Sequence, residues 1–129
     1  MSNSGVRWLY NPDGSKNEER WQSLKEATDF FNMFYNHPCD RIAIENPVPH
    51  KHAKLPPHSQ TIQPYEFGHT TSKRTCLWLK GLPKLKPTLI IPKESRTQDI
   101  WLEPPGPDRW KIRSRTFEGI AQAMAEQWG

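Results

Sequence analysis

Ile42-Ala43-Ile44-Glu45-Asn46-Pro47 is the stretch that decides how this chain is read. A short β-branched apolar run ends abruptly in a carboxylate, an amide and a proline. Such a run reads as a buried strand, placed at Arg41–Ile44. A glutamate at its exit sits where open α/β sheets meet their ligands, outside the carboxyl ends of the strands. A carboxyl there can hydrogen-bond a ring nitrogen and an amino group, and it keeps its proton if it is desolvated. The other reading of Glu45-Asn46 is a loop carboxylate that caps a turn.

Upstream of this run, Asn11-Pro12-Asp13-Gly14 is a turn signal closing a polar lead over residues 1–16. Ser15 to Glu18 fits a capping box, so a helix is expected from there to Tyr35. Trp21, Leu24, Thr28, Phe31 and Tyr35 fall on one stripe, and Phe30 and Phe34 are expected to widen it. Pro38 stops the helix, because proline disfavours helical backbone in the residue before it. Downstream, residues 47–60 read as an irregular loop and Thr61-Ile62-Gln63-Pro64 as a short edge strand. Arg74–Leu79 is a second firm strand and Thr88–Ile91 a third short one. Residues 92–113 show no period, and Trp101 and Trp110 are candidates to pin them down. Thr116 is the expected cap of a final helix whose apolar face is Phe117, Ile120, Ala121, Met124, Ala125 and Trp128.

The chain has 129 residues, which suits one domain. Only 34% of them are hydrophobic, and 13 are proline, so the core is modest and the ordered loops are long. No stretch approaches a membrane span and no signal-peptide core precedes the lead. Two cysteines, Cys39 and Cys76, fit a reduced cytoplasmic protein better than a disulfide scaffold. The net charge of +4 is unevenly placed. Residues 47–93 hold eight cations against the single acid Glu66. Seven of them, Lys51, Lys54, Lys73, Arg74, Lys80, Lys84 and Lys86, are the candidate nucleic-acid-binding residues. Clustered positive charge beside aromatics is the footprint of a polyanion partner. Phe67-Gly68-His69 with the Thr70–Arg74 segment adds hydroxyls and cations suited to a phosphate or a base edge.

Other chemistries lack their parts. His37-x-Cys39 and His50-x-His52 do not have the ligand spacing of a structural metal site. Cys39 follows a helix exit and Cys76 lies mid-strand, where burial makes a thiol inert. No glycine-rich dinucleotide fingerprint and no phosphate-binding loop is present.

Several stretches together carry a resemblance. They are Ile42–Pro47, Ile62-Gln63-Pro64-Tyr65-Glu66-Phe67-Gly68-His69 and Lys73–Pro83. The opening Ser4–Leu9 and the closing Arg113–Phe117 and Ala121–Gly129 belong to the same pattern. In combination they resemble the second half of phage and prophage proteins of the DNA (cytosine-5)-methyltransferase type. The resemblance implies an α/β fold: a partial Rossmann-like methyltransferase half domain over residues 1–129, with three to four short strands flanked by an N-terminal and a C-terminal helix. It implies that Glu45, with Asn46 beside it, matches the acid engaging the ring nitrogen of a target cytosine. It places Arg74 near the region that orients the base, and the last helix against a cofactor domain. The departures are as informative. Family members carry a Pro-Pro-Cys loop, whereas this chain has Pro56-Pro57-His58 and Pro104-Pro105-Gly106. Without that cysteine the covalent route is closed for this chain alone, and the S-adenosylmethionine-binding region is missing too, so the reaction has no second substrate.

The expectation is a methyltransferase-like, catalytically inactive phage or prophage protein without a cofactor of its own. S-adenosylmethionine would enter only if a partner chain supplied the site. The chain would bind DNA through its basic segment, or a protein partner or second copy through the sheet edge that the missing half leaves uncovered. One alternative is a phage-encoded counter-defence inhibitor, anti-CRISPR or anti-restriction, that binds a host nuclease. Another is one half of a split DNA cytosine methyltransferase. All three place it in the cytoplasm of a bacterial host, away from membranes.

Overall fold

The computed structural model describes residues 9–97 and 116–129. Its elements are α1 (Glu18–Tyr35), β1 (Ile42–Pro47), β2 (Gln60–Ile62), β3 (Thr75–Lys80) and α2 (Glu118–Trp128), with three single-turn 3-10 helices between them. The strands form one antiparallel sheet in the order β1-β3-β2. This is a small α/β protein, as expected. The chain divides into two compact units. One holds the described residues up to Gln60 together with Thr75–Leu82; the other holds Thr61–Arg74 and the described residues from Pro83 onward.

In the first unit, α1 begins at Asn17, whose side chain accepts the Arg20 N–H at 3.2 Å. Ser15, the expected cap, is drawn into the preceding turn, where Asp13 accepts both its N–H (2.9 Å) and its hydroxyl (2.6 Å). Local Asx bonding of this kind competes with capping. Leu24 and Phe31 are buried on the expected stripe. Phe30 and Phe34 do not widen it: they are 62% and 46% exposed, with Met33 at 58% beside them. At about 100° per residue they are turned off the face that Phe31 buries.

Strand β1 runs past Ile44 to Pro47, paired with β3 from Ile42↔Lys80 to Pro47↔Thr75. Among the described strands it lies at the edge of the sheet, where a proline is tolerated at its end. The central strand β3 buries Thr75, Cys76, Leu77 and Trp78. Trp78 meets Phe31 edge-on at 5.0 Å and donates its Nε1–H to Pro56 O at 2.7 Å. Cys76 completes that core, ringed by Tyr35, Ile44, Val48 and Leu55. A second cluster joins Leu9, Leu24 and Ala53, with Trp21 and Leu55 against it.

In the second unit, Pro64–Glu66 is a 3-10 turn closed by a capping box between Gln63 and Glu66. The expected strand at Thr88–Ile91 is only a single parallel bridge, Phe67↔Leu89. Prolines at 87 and 92 confine it, and Leu89 and Ile90 stay exposed. Helix α2 starts after Phe117 rather than Thr116, without a cap from its own chain end. The acceptor comes from His69 instead, whose Nε2 takes the Gly119 N–H at 2.9 Å. Ile120, Ala123 and Trp128 are buried, whereas Ala121 and Ala125 are exposed, so the apolar face is rotated from the expected one. Trp101, Trp110 and the ends of the chain that share in the family resemblance lie partly or wholly outside the described residues. No helix among the described residues is long and apolar enough to cross a membrane.

Candidate nucleic-acid interface

Glu45 and Asn46 lie within the β1 ladder rather than beyond its end. Successive side chains of a strand point to opposite faces. Glu45 is exposed on the face of Ala43, across from Leu77. Asn46 is half-buried on the face of Ile44, and its Nδ2 donates to Pro47 O at 2.8 Å. The two therefore do not converge on one ligand edge.

The candidate cations are shared between the two units, with Lys51, Lys54 and Lys80 in the first and Lys73, Arg74, Lys84 and Lys86 in the second. Lys51 opens the 3-10 turn Lys51–Ala53, and Lys54 ends it in the left-handed conformation (φ 51°). Ala53 is the buried anchor of that turn, so both lysines project into water around it. Beside them His50 is buried, and burial holds its imidazole below the usual histidine pKa. His52 lies 5.7 Å from His50 and meets Trp21 edge-on at 5.3 Å. Nδ1 of His50 and Nε1 of Trp21 have no hydrogen-bond partner among the described residues.

Lys80 differs from the rest. Its Nζ donates to His37 O at 2.9 Å, which ties the end of β3 to the segment after α1. Its ammonium therefore has a structural partner, although the residue is exposed.

In the second unit the mounts are firm. Lys73 donates its backbone N–H to Gln63 Oε1 at 2.8 Å, and the neighbouring Thr71 bridges Thr97. Arg74 follows, exposed, at the entry to β3. Lys84 and Lys86 flank Leu85, which is 1% exposed, so both lysines face away from the core that Leu85 enters. The Gln127 amide of α2 clamps Lys86, accepting its N–H at 2.8 Å and donating to its carbonyl at 2.9 Å. Trp128 Nε1 donates to Pro83 O at 2.9 Å in the same segment. Sequence reasoning missed both holders of this unit, His69 and Gln127. A lone histidine and a helical glutamine carry no local pattern that names their partners.

No family model, curated protein or solved structure matches this chain.

Lys51, Lys54, Arg74, Lys84 and Lys86 are exposed, and none makes a side-chain ion pair with another described residue. Among the described residues no group of three or more His, Cys, Asp or Glu side chains is placed to hold a metal ion. Cys39 is exposed, and its Sγ donates to Arg41 O at 3.3 Å; Cys76 is buried in the core.

Proposed function

We propose that this protein binds nucleic acid through the phosphate backbone, as a non-catalytic relative of the DNA cytosine methyltransferases that its motifs resemble. The observation that carries the reading is a set of exposed cations on anchored backbone that make no ion pair with another described residue: Lys51 and Lys54 around buried Ala53, and Lys84 and Lys86 around buried Leu85 under the Gln127 clamp. Anchoring matters because a cation fixed before binding loses less entropy when it meets a phosphate. Phosphate contacts fix register and affinity but carry no base sequence by themselves. Glu45, exposed within the strand, has no desolvated pocket among the described residues in which to hold a flipped base. The methyltransferase likeness is retained here in a specific sense: an antiparallel ladder can form the antiparallel margin of an otherwise parallel, doubly wound sheet.

A DNA duplex titrated with the full chain at two salt concentrations tests this. Binding of roughly 10⁻⁶–10⁻⁴ M at physiological salt, weakening as salt rises, is the expected outcome. Affinity that is absent at low salt, or unmoved by salt, would refute the reading. Calorimetry with S-adenosylmethionine is expected to show no heat of binding, and micromolar affinity would restore the split-enzyme alternative.

A further inference from the structure

The outer edge of β1 is open among the described residues, and its chemistry specifies an occupant. Ser59 donates its N–H to Leu77 O at 2.7 Å, and Leu79 donates its N–H to Ser59 Oγ at 2.9 Å. Leu77 and Leu79 therefore turn their backbone groups to the β2 side of β3. In an antiparallel ladder, residues opposite each other either exchange both backbone bonds or both point away. Glu45 and Ala43, which face Leu77 and Leu79, thus direct their own N–H and C=O groups outward. Pro47 has the same parity, so its missing N–H falls on the open side. Of the usual protections against pairing, the stretch from Ile42 to Pro47 carries no lysine and no bulge; its charge is Glu45, and its proline comes only at the strand's last residue.

We infer that the protein forms a two-fold dimer by pairing β1 antiparallel with β1 of a second copy, in the register that sets Ile44 opposite Ile44. That register exchanges paired backbone bonds between Ala43 of each copy and Glu45 of the other. It puts Glu45 across from a small apolar residue and diagonal to Arg41 of the second copy, within reach of opposite-charge attraction. Moving the centre to Glu45 would set two carboxylates face to face. The two-fold axis stands perpendicular to the sheet, so both copies of α1 lie on the same side of one continuous ladder.

Sedimentation velocity of the full chain over a concentration series tests this. Dimer that grows with loading is expected. Ala43→Pro deletes an outward N–H while leaving the bonds to β3 intact, and should weaken dimerisation about a hundredfold with an unchanged circular dichroism spectrum. Glu45→Arg should weaken it about tenfold, and adding Arg41→Glu to the same chain should restore it. Monomer at every loading, or a dimer indifferent to these substitutions, would overturn the inference. Failure of the double variant to restore pairing would overturn the register. Neither result depends on nucleic acid, so the dimer and the binding reading stand or fall separately.

Discussion

The imidazole of His50 loses most of its water in the folded chain, and its Nδ1 has no partner among the described residues. Burial disfavours the charged form, so its pKa falls below the ordinary histidine value. The unfolded chain then binds a proton more readily than the folded one. Stability from this group is present above about pH 6.5, the unfolded value, and is lost as pH falls through the folded value. Thermal unfolding followed from pH 7.5 to pH 5 should show a falling midpoint, and His50→Phe should flatten that slope. Gly119 is a second residue on which the fold depends. A Cβ there would meet Phe67 O and His69 Nε2, the acceptor that starts α2. Gly119→Ala is therefore expected to cost about 1–3 kcal/mol, read from urea unfolding, as overpacking does. Neither dependence was legible in the sequence. His50 sits in a proline-rich loop that reads as solvated, and the partner of Gly119 is fifty positions away.

Helix α1 and strand β3 were legible because local chemistry and packing agree in them. The Trp21-Leu24-Thr28-Phe31-Tyr35 stripe is the inward face, its first half on the Ala53 turn and Phe31 and Tyr35 on the sheet, and the apolar run of β3 is central and buried. Phe31→Ala should remove about 3–5 kcal/mol, since Phe31 packs edge-on against Trp78. Asn17→Ala should cost only about 1 kcal/mol, the worth of an N-cap. The end of β1 was less legible. Glu45-Asn46-Pro47 reads as an exit, yet pairing with β3 continues through it, because an edge strand tolerates a proline whose missing N–H faces outward. That shift turns Glu45 and Asn46 to opposite faces. In α2 the clamp on Lys86 links the helix to the proposed phosphate contact. Gln127→Ala should leave the helix intact, release the backbone of Lys86 while Trp128 still holds Pro83, and weaken DNA binding several-fold, measured by fluorescence anisotropy.

At the scale of the whole molecule, charge is the property that sequence reports most directly, since a sum over residues needs no geometry. The +7 of residues 47–93 was visible at once. What the sequence left open was which cations are engaged within the protein: Lys80 bonds the His37 carbonyl, while Lys51, Lys54, Arg74, Lys84 and Lys86 stay exposed. The separation predicts unequal contributions to binding. Salt dependence reports them, because each phosphate neutralised releases counterions and adds about −0.9 to the slope of log K against log salt on duplex DNA. The decisive measurement is that slope for the wild-type chain beside the Lys84→Ala/Lys86→Ala variant. A negative wild-type slope, reduced by about 1.8 in the variant, is the expected result. A zero slope, or one that the double substitution leaves unchanged, would contradict phosphate binding through these cations.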